Sequence, residues 1–199
     1  MKEQTKNILI KFLNISLILF LVALSASWAY FRYYKETTFR VSEPLSKSMV
    51  VYVDKAMDDI GIINGVQVVK VDLRKNVRFL VHTYWKDPGL NALYANFRST
   101  SITVEVPVFS KDDAQNARII RLMNHEYECI PFTETLSYNL VPAAAKYVTT
   151  ICSISIPPAF NEFKGILVVS LSRVPTEDEK SMIRSMLIDV SSKVHTEIK

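Results

Sequence analysis

FLNISLILFLVALSASWAYF, residues 12–31, carries no formal charge and is closed by Lys11 on one side and Arg32 on the other. As a helix rising about 1.5 Å per residue it would span roughly 30 Å, the hydrocarbon thickness of a bilayer. Eleven of its residues are Leu, Ile, Val or Phe, each contributing about −0.3 to −0.6 kcal/mol to insertion at mid-helix. One central Lys would cost about 2.5–3.5 kcal/mol, and the stretch has none. Trp28, Tyr30, Phe31, Tyr33 and Tyr34 gather at its far end, as amphipathic rings do at a membrane–water interface. A retained membrane anchor over 12–31 is the expectation. Its rival is a cleavable leader, with Ile15–Leu24 as apolar core and Ser25-Ala26-Ser27 as the small-residue cleavage site.

This segment divides the chain. Residues 1–11 are a short tail with Lys2, Lys6 and Lys11 against Glu3, a balance that favours a cytoplasmic N-terminus under the positive-inside rule. Residues 12–31 are the transmembrane helix, 32–62 a connecting helix, and 63–199 a folded domain expected on the far side. Beyond Phe31 the chain has 168 residues, enough for one compact domain with a real core. That part holds 21 basic and 19 acidic residues, interspersed rather than clustered, so nucleic acid is not an expected partner. Within the apolar segment, Asn14 and Ser25 fall on one helical face and Ser16, Ala23 and Ser27 on nearly the opposite one. Small and hydroxyl residues let helices approach closely in lipid, so both faces are candidates for self-association. The plainer reading has the serines bonding back to their own helix.

Further along, the pattern from Val41 to Ile60 is helical, with Pro44 suited to its first turn and Gly61 to its stop. Val66–Leu73 and Val77–Trp85 read as two strands joined through Arg74, Lys75 and Asn76. A short helix is expected over Leu90–Phe97. Ile102–Phe109 alternates as a third strand, with Pro107 confined to an edge or bulge. Ser110 and Asp113 resemble a helix start, followed by an apolar stripe of Ala114, Ala117, Ile120 and Met123 as far as about His125. Glu128–Pro142 has no clear period and reads as a long irregular connection that bears function. Tyr147–Ile156 and Gly165–Arg173 are strands four and five. The closing helix opens on a capping box, Thr176 and Glu179, and shows Met182, Ile183, Met186, Leu187, Val190 and Val194 on one face. The fold class is α+β: after the transmembrane helix, a roughly five-stranded antiparallel sheet with flanking helices, in the manner of a GAF or PAS domain.

The chemistry of an enzyme is missing. Four glycines leave scarcely material for a phosphate-cradling loop. His82, His125 and His195 are widely separated, and His125-Glu126 lacks the second histidine of a zinc-protease helix. No nucleophile elbow appears. Asp112 and Asp113 favour the positive end of a helix dipole more simply than they form a catalytic pair. No catalytic residue, metal or cofactor is expected. Tyr84-Trp85 is the one aromatic pair suited to a ligand pocket, although strand-end aromatics usually pack in cores. Cys129 and Cys152 are the only cysteines. Outside the cytoplasm they are free to form a disulfide, and two buried thiols are the equal alternative.

The layout resembles the T-even phage holin family: a short inside tail, one span near the N-terminus and a single α+β domain outside. The echoes are Tyr33-Tyr34-Lys35 after the span and Val81–Pro88 as a strand running into a Lys/Pro turn. A third is the closing block from Cys152 through Pro157, Phe160 and Gly165 to the last strand and helix. The family pattern has a longer tail and a cysteine in its last helix; here the tail is eleven residues and Thr176–Lys199 holds no cysteine. The resemblance implies a non-enzymatic lysis-timing protein of the bacterial inner membrane with a periplasmic domain. Such a protein oligomerises in the lipid bilayer into lesions that release a cytoplasmic endolysin, and an antiholin-type periplasmic regulator delays it. The competing classes are a single-pass sensory or adaptor protein, whose outer domain binds a ligand or protein, and a secreted domain released after Ser27.

Overall fold

A computed structural model describes residues 16, 20–28, 45–90, 106–135, 142–159 and 162–198. Contacts divide the chain into two compact units, 1–40 and 41–199.

In the first unit, Ser16 and Phe20–Trp28 are helical. The rest of the expected span over 12–31 lies outside the described residues. Among the described residues no helix is long and apolar enough to cross a membrane.

The second unit is built on a six-stranded antiparallel sheet. Its strands are β1 (Ile63–Asp72), β2 (Val77–Trp85), β3 (Val106–Pro107), β4 (Glu128–Pro131), β5 (Thr150–Ile156) and β6 (Gly165–Leu171), in the order β3-β2-β1-β6-β5-β4. β1 and β2 form a hairpin in which Asp72 faces Val77. Asn76 adopts φ 55° in its turn, a left-handed conformation that asparagine tolerates. Its side chain bonds Phe109 twice, accepting from the backbone nitrogen at 2.8 Å and donating to the carbonyl at 3.0 Å. β3 is the outer strand on that side, so Pro107 sits where a missing N–H is tolerated, as its sequence context required.

Among the described residues, three α-helices flank the sheet: α1 (Lys47–Asp58), α2 (Asp113–Met123) and α3 (Glu177–Val194). α1 and α3 cover one face. Val53 and Met57 of α1 and Ile183, Leu187, Val190 and Val194 of α3 are buried with Val66, Val68, Cys152, Ile154, Leu167 and Val169 of the sheet. Ile119 and Leu122 of α2 pack on Val71, Val108 and Ile166, forming a second cluster. A third gathers Trp85, Leu90, Phe132, Ala144, Val148 and Ile151. β5 is buried at every position and β6 at all but one. Helices or loops cover both faces there: β6 reads as a nearly continuous apolar run, whereas β5 buries Thr150, Ser153 and Ser155 along with its apolar residues.

Several expectations change. Among the described residues the sheet has six strands, not about five: Glu128–Pro131, expected as irregular, pairs along β5 with Cys129 opposite Cys152. Backbone pairing overrode a four-residue segment too short to show a period. β1 begins at Ile63, ahead of the expected Val66, because Asn64 and Gly65 are carried within the strand through a register shift. α2 starts at Asp112, whose carboxylate accepts from the Gln115 backbone at 3.1 Å, rather than at Ser110. Its buried face is Ile119 and Leu122, while Ala114 and Ala117 are exposed and Ile120 is 51% exposed. The capping box of α3 forms as expected: Thr176 Oγ1 accepts from the Glu179 backbone at 3.3 Å, and Glu179 accepts from the Thr176 backbone at 2.9 Å. Val41–Pro44, Asn91–Phe97 and Ile102–Glu105 lie outside the described residues.

Candidate functional site

Of the residues expected to mediate helix association, Ser16, Ala23, Ser25 and Ser27 are helical and exposed; Asn14 lies outside the described residues. Ala23 and Ser27, four residues apart, share a helix face, and Ser25 points well away from them. Ser25 Oγ donates to the Val22 carbonyl at 2.9 Å, so its hydroxyl proton is spent within its own helix. The apolar side chains of this helix stand open: Phe20 is 63% and Trp28 63% exposed.

Cys129 and Cys152 are joined by a disulfide with S–S 2.02 Å. The β4–β5 register sets them directly opposite each other, with Cα atoms 4.0 Å apart. Cys152 is fully buried in the core beneath α3. Tyr127 stands beside the bond, its hydroxyl 2.8 Å from Cys129 Sγ and donating to the Lys180 carbonyl at 3.4 Å. Burial of that phenol pushes its pKa up to about 12.

An open groove of about 410 Å³ runs between α1 and α3, lined by Ser48, Met49, Tyr52, Asp189, Ser192, Lys193 and Thr196. Tyr52 Oη donates to Asp189. Lys193 Nζ donates to Tyr52 Oη at 2.6 Å, pairs with Asp189 at 3.0 Å, and lies 4.2 Å from the Tyr52 ring centroid. Hydrogen bonds from Tyr52 and then Lys193 lower the Asp189 pKa. The bonds to Tyr52 and Asp189 raise that of Lys193. Desolvation, followed by the hydrogen bond to Asp189, raises that of Tyr52. The trio clasps the two helices and carries no group poised for proton transfer near neutrality. Sequence reading missed it: Asp189 and Lys193 are legible as an i, i+4 pair, but Tyr52 is 137 residues away from Asp189.

Tyr84 and Trp85 do not share a pocket. As neighbours on one strand they point to opposite faces: Tyr84 packs against the α1–α3 core and Trp85 is buried in the cluster with Leu90 and Phe132. Beside Trp85, the sheet face turned away from α1 and α3 carries a partly polar row. The pairings Thr83–Gln67, Gln67–Val168 and Val168–Ser153 set these four residues side by side across four strands, with Ser153 buried.

The histidines are separate. His82 Nε2 pairs with Asp54 at 2.8 Å, His125 Nδ1 with Ser155 Oγ at 2.9 Å, and His195 Nε2 with Glu162 at 3.4 Å. Among the described residues no three His, Cys, Asp or Glu side chains converge to hold a metal.

No sequence-family profile matches the chain, and no curated protein does. Solved structures match its fold. A far-red cyanobacteriochrome photoreceptor aligns over 89% of this chain and 98% of its own, at 11% identity and TM-score 0.52. A GAF domain/HD domain protein from Geobacter sulfurreducens aligns over 76% and 92%, at 9% identity and TM-score 0.53. The GAF domain of a phosphoenolpyruvate-protein phosphotransferase from Coxiella burnetii aligns over 79% and 86%, at 12% identity and TM-score 0.51. The α+β domain therefore has a GAF-like fold; at these identities the likeness concerns architecture, not activity.

Proposed function

We propose that this chain is a holin of the T-even phage type. It is anchored in the bacterial inner membrane by residues 12–31, with residues 1–11 on the cytoplasmic side and a periplasmic GAF-like domain. The observation that carries the reading is the helical segment Phe20–Trp28 with its exposed apolar side chains, set in a twenty-residue run without charge. A chain that must insert, diffuse and cluster needs such a surface facing lipid. The Cys129–Cys152 bond supports the periplasmic assignment, because disulfides persist in oxidising compartments. The domain would receive an antiholin-type regulator, and no catalytic group is required of it.

The test is inducible expression in a bacterium together with a cytoplasmic muralytic enzyme, following turbidity and membrane potential. Abrupt depolarisation and lysis after a delay, lost when 12–31 is deleted, is the expected result; steady growth with intact potential overturns the reading. Asn14→Leu and Ser25→Leu should each shift the time of lysis without preventing insertion, and unchanged timing in both would remove the proposed association face.

A second reading rests on the row of Thr83, Gln67, Val168 and Ser153. Polar side chains on a sheet face are a reasonable floor for a small ligand, and a single-pass sensory or adaptor protein would use the GAF-like domain that way. Intact potential together with saturable binding of a small molecule to the full chain would favour it.

A further inference from the structure

The chain that follows residues 12–31 reaches α1 through Ser46, and Ser46 lies at a definite end of the sheet. Its backbone nitrogen donates to Glu197 at 2.8 Å, and two residues before Glu197, His195 faces Glu162 at 3.4 Å. Glu162 pairs with Lys164 at 3.1 Å, and the Lys164 carbonyl accepts from the Val71 nitrogen at 2.8 Å. These contacts belong to the end where β1 and β5 finish and β2 and β6 begin, with Gly165 opposite Lys70 on one side and Ile156 on the other. α1 then runs to the other end, where the Met57 carbonyl accepts from Lys86 Nζ at 2.7 Å just past β2. The turn of the β1–β2 hairpin therefore stands at the end through which the chain arrives.

That turn reads Leu73-Arg74-Lys75-Asn76. Turns ordinarily present small polar residues to water; this one presents Leu73, 40% exposed, followed by two exposed cations. Two backbone bonds of 3.3 Å hold it, from Lys75 to Asp72 and from Asn76 to Leu73, and the Asn76 side chain fastens it to Phe109. Arg74, Lys75 and the exposed Lys111, two residues past Phe109, have no carboxylate within ion-pair reach among the described residues. The acids of this end are engaged in the fold. Asp72 accepts from the Lys75 backbone at 3.2 Å, Asp112 caps α2, Asp113 stands in that helix's first turn, and Glu162 is bound by Lys164 and His195. We propose that this turn rests on the bilayer that holds residues 12–31, with Leu73 entering the headgroup–acyl boundary and Arg74 and Lys75 meeting the phosphates of anionic phospholipid. The contact rests on the reading of 12–31 as a retained anchor. From Phe31 to Ser46 the chain reaches at most roughly 50 Å, and a tether of that length keeps the turn concentrated near the surface. A contact too weak to recruit a free domain is then populated.

The experiment uses the full chain in phosphatidylethanolamine–phosphatidylglycerol vesicles that contain a phospholipid spin-labelled close to its headgroup. A thiol-reactive fluorophore, to which the disulfide-bonded cysteines do not respond, is attached at Leu73→Cys, where the dye itself supplies the apolar group. For comparison it is attached at Ser181→Cys, an exposed position near the start of α3 at the opposite end of the sheet. The expected result is quenching at Leu73→Cys and none at Ser181→Cys. Adding Arg74→Glu and Lys75→Glu, or replacing phosphatidylglycerol by phosphatidylcholine, should bring Leu73→Cys down to the Ser181→Cys level, with unfolding temperature unchanged because both cations are exposed. Equal quenching at the two positions, or indifference to both the charge reversal and the lipid exchange, would overturn the proposal. A chain that alkaline carbonate strips from the vesicles removes the anchor and the docking together, whereas an integrated chain with an unquenched Leu73→Cys removes the docking alone. Quenching as expected in a chain that never depolarises cells would keep the docking and remove the holin reading.

Discussion

At Gly65 a side chain has no room. A Cβ built there would lie 2.1 Å from Trp85 Cε3 and 2.7 Å from the Tyr84 carbonyl oxygen, because Gly65 pairs with Trp85 across the β1–β2 ladder and the indole lies over the bare backbone. Gly65→Ala must displace a ring that is 2% exposed, and overpacking of that kind costs about 1–3 kcal/mol; urea unfolding of the variant reads it directly. Glu179 makes a different prediction. The Arg173 guanidinium, then the Thr176 backbone N–H, hold its carboxyl down at about 2. A carboxyl depressed in the folded state stabilises above its ordinary pKa, and that stability is lost as pH falls through the folded value. Glu179→Gln keeps the capping geometry and drops the charge, so its unfolding temperature should fall less steeply than that of the parent between about pH 4.5 and 2. Parallel curves for the two would contradict the assignment.

Among the elements, legibility followed the strength of periodicity. α3 was readable almost to its ends because eighteen residues supply several turns of apolar spacing and a capping box fixes the start. β2 was readable from end to end. α2 was placed correctly but phased wrongly: Ile119 and Ile120 are adjacent and equally apolar, and only the sheet beneath decides which turns inward. Ile119→Ala should therefore cost about 2–5 kcal/mol, whereas Ile120→Ala should stay within about 0.5 kcal/mol; denaturant midpoints of the two variants compare them. β4 escaped notice because four residues show no period, and its place is set by partners on β5, with Cys129 facing Cys152 at a separation of 23 residues. The candidate sites were less legible than the fold. The clasp of Tyr52 on Asp189 and Lys193 exists only once α1 and α3 lie side by side, and Tyr84 and Trp85 were separated by the pleat itself.

For the molecule as a whole, the disulfide ties the β4 edge to the buried strand under α3. It closes a loop with a sequence separation of 23 residues, for which restriction of the unfolded chain is worth about 3 kcal/mol. Replacing both cysteines by alanine, or adding reductant, should lower the unfolding free energy by about that amount, measured as a lower urea midpoint with a steeper slope, since the unfolded chain expands once the cross-link is gone. A second long-range tie joins the two helices of the same layer. Ser46, which caps α1, donates to Glu197 from its backbone nitrogen at 2.8 Å and from its hydroxyl at 2.5 Å, across 151 positions of sequence. In mechanical terms this is a buckle at the point where tension from the preceding chain would be applied. A pull on Ser46 is handed at once to Glu197 in the last turn beyond α3, so that the start of α1 and the end of the domain share the load.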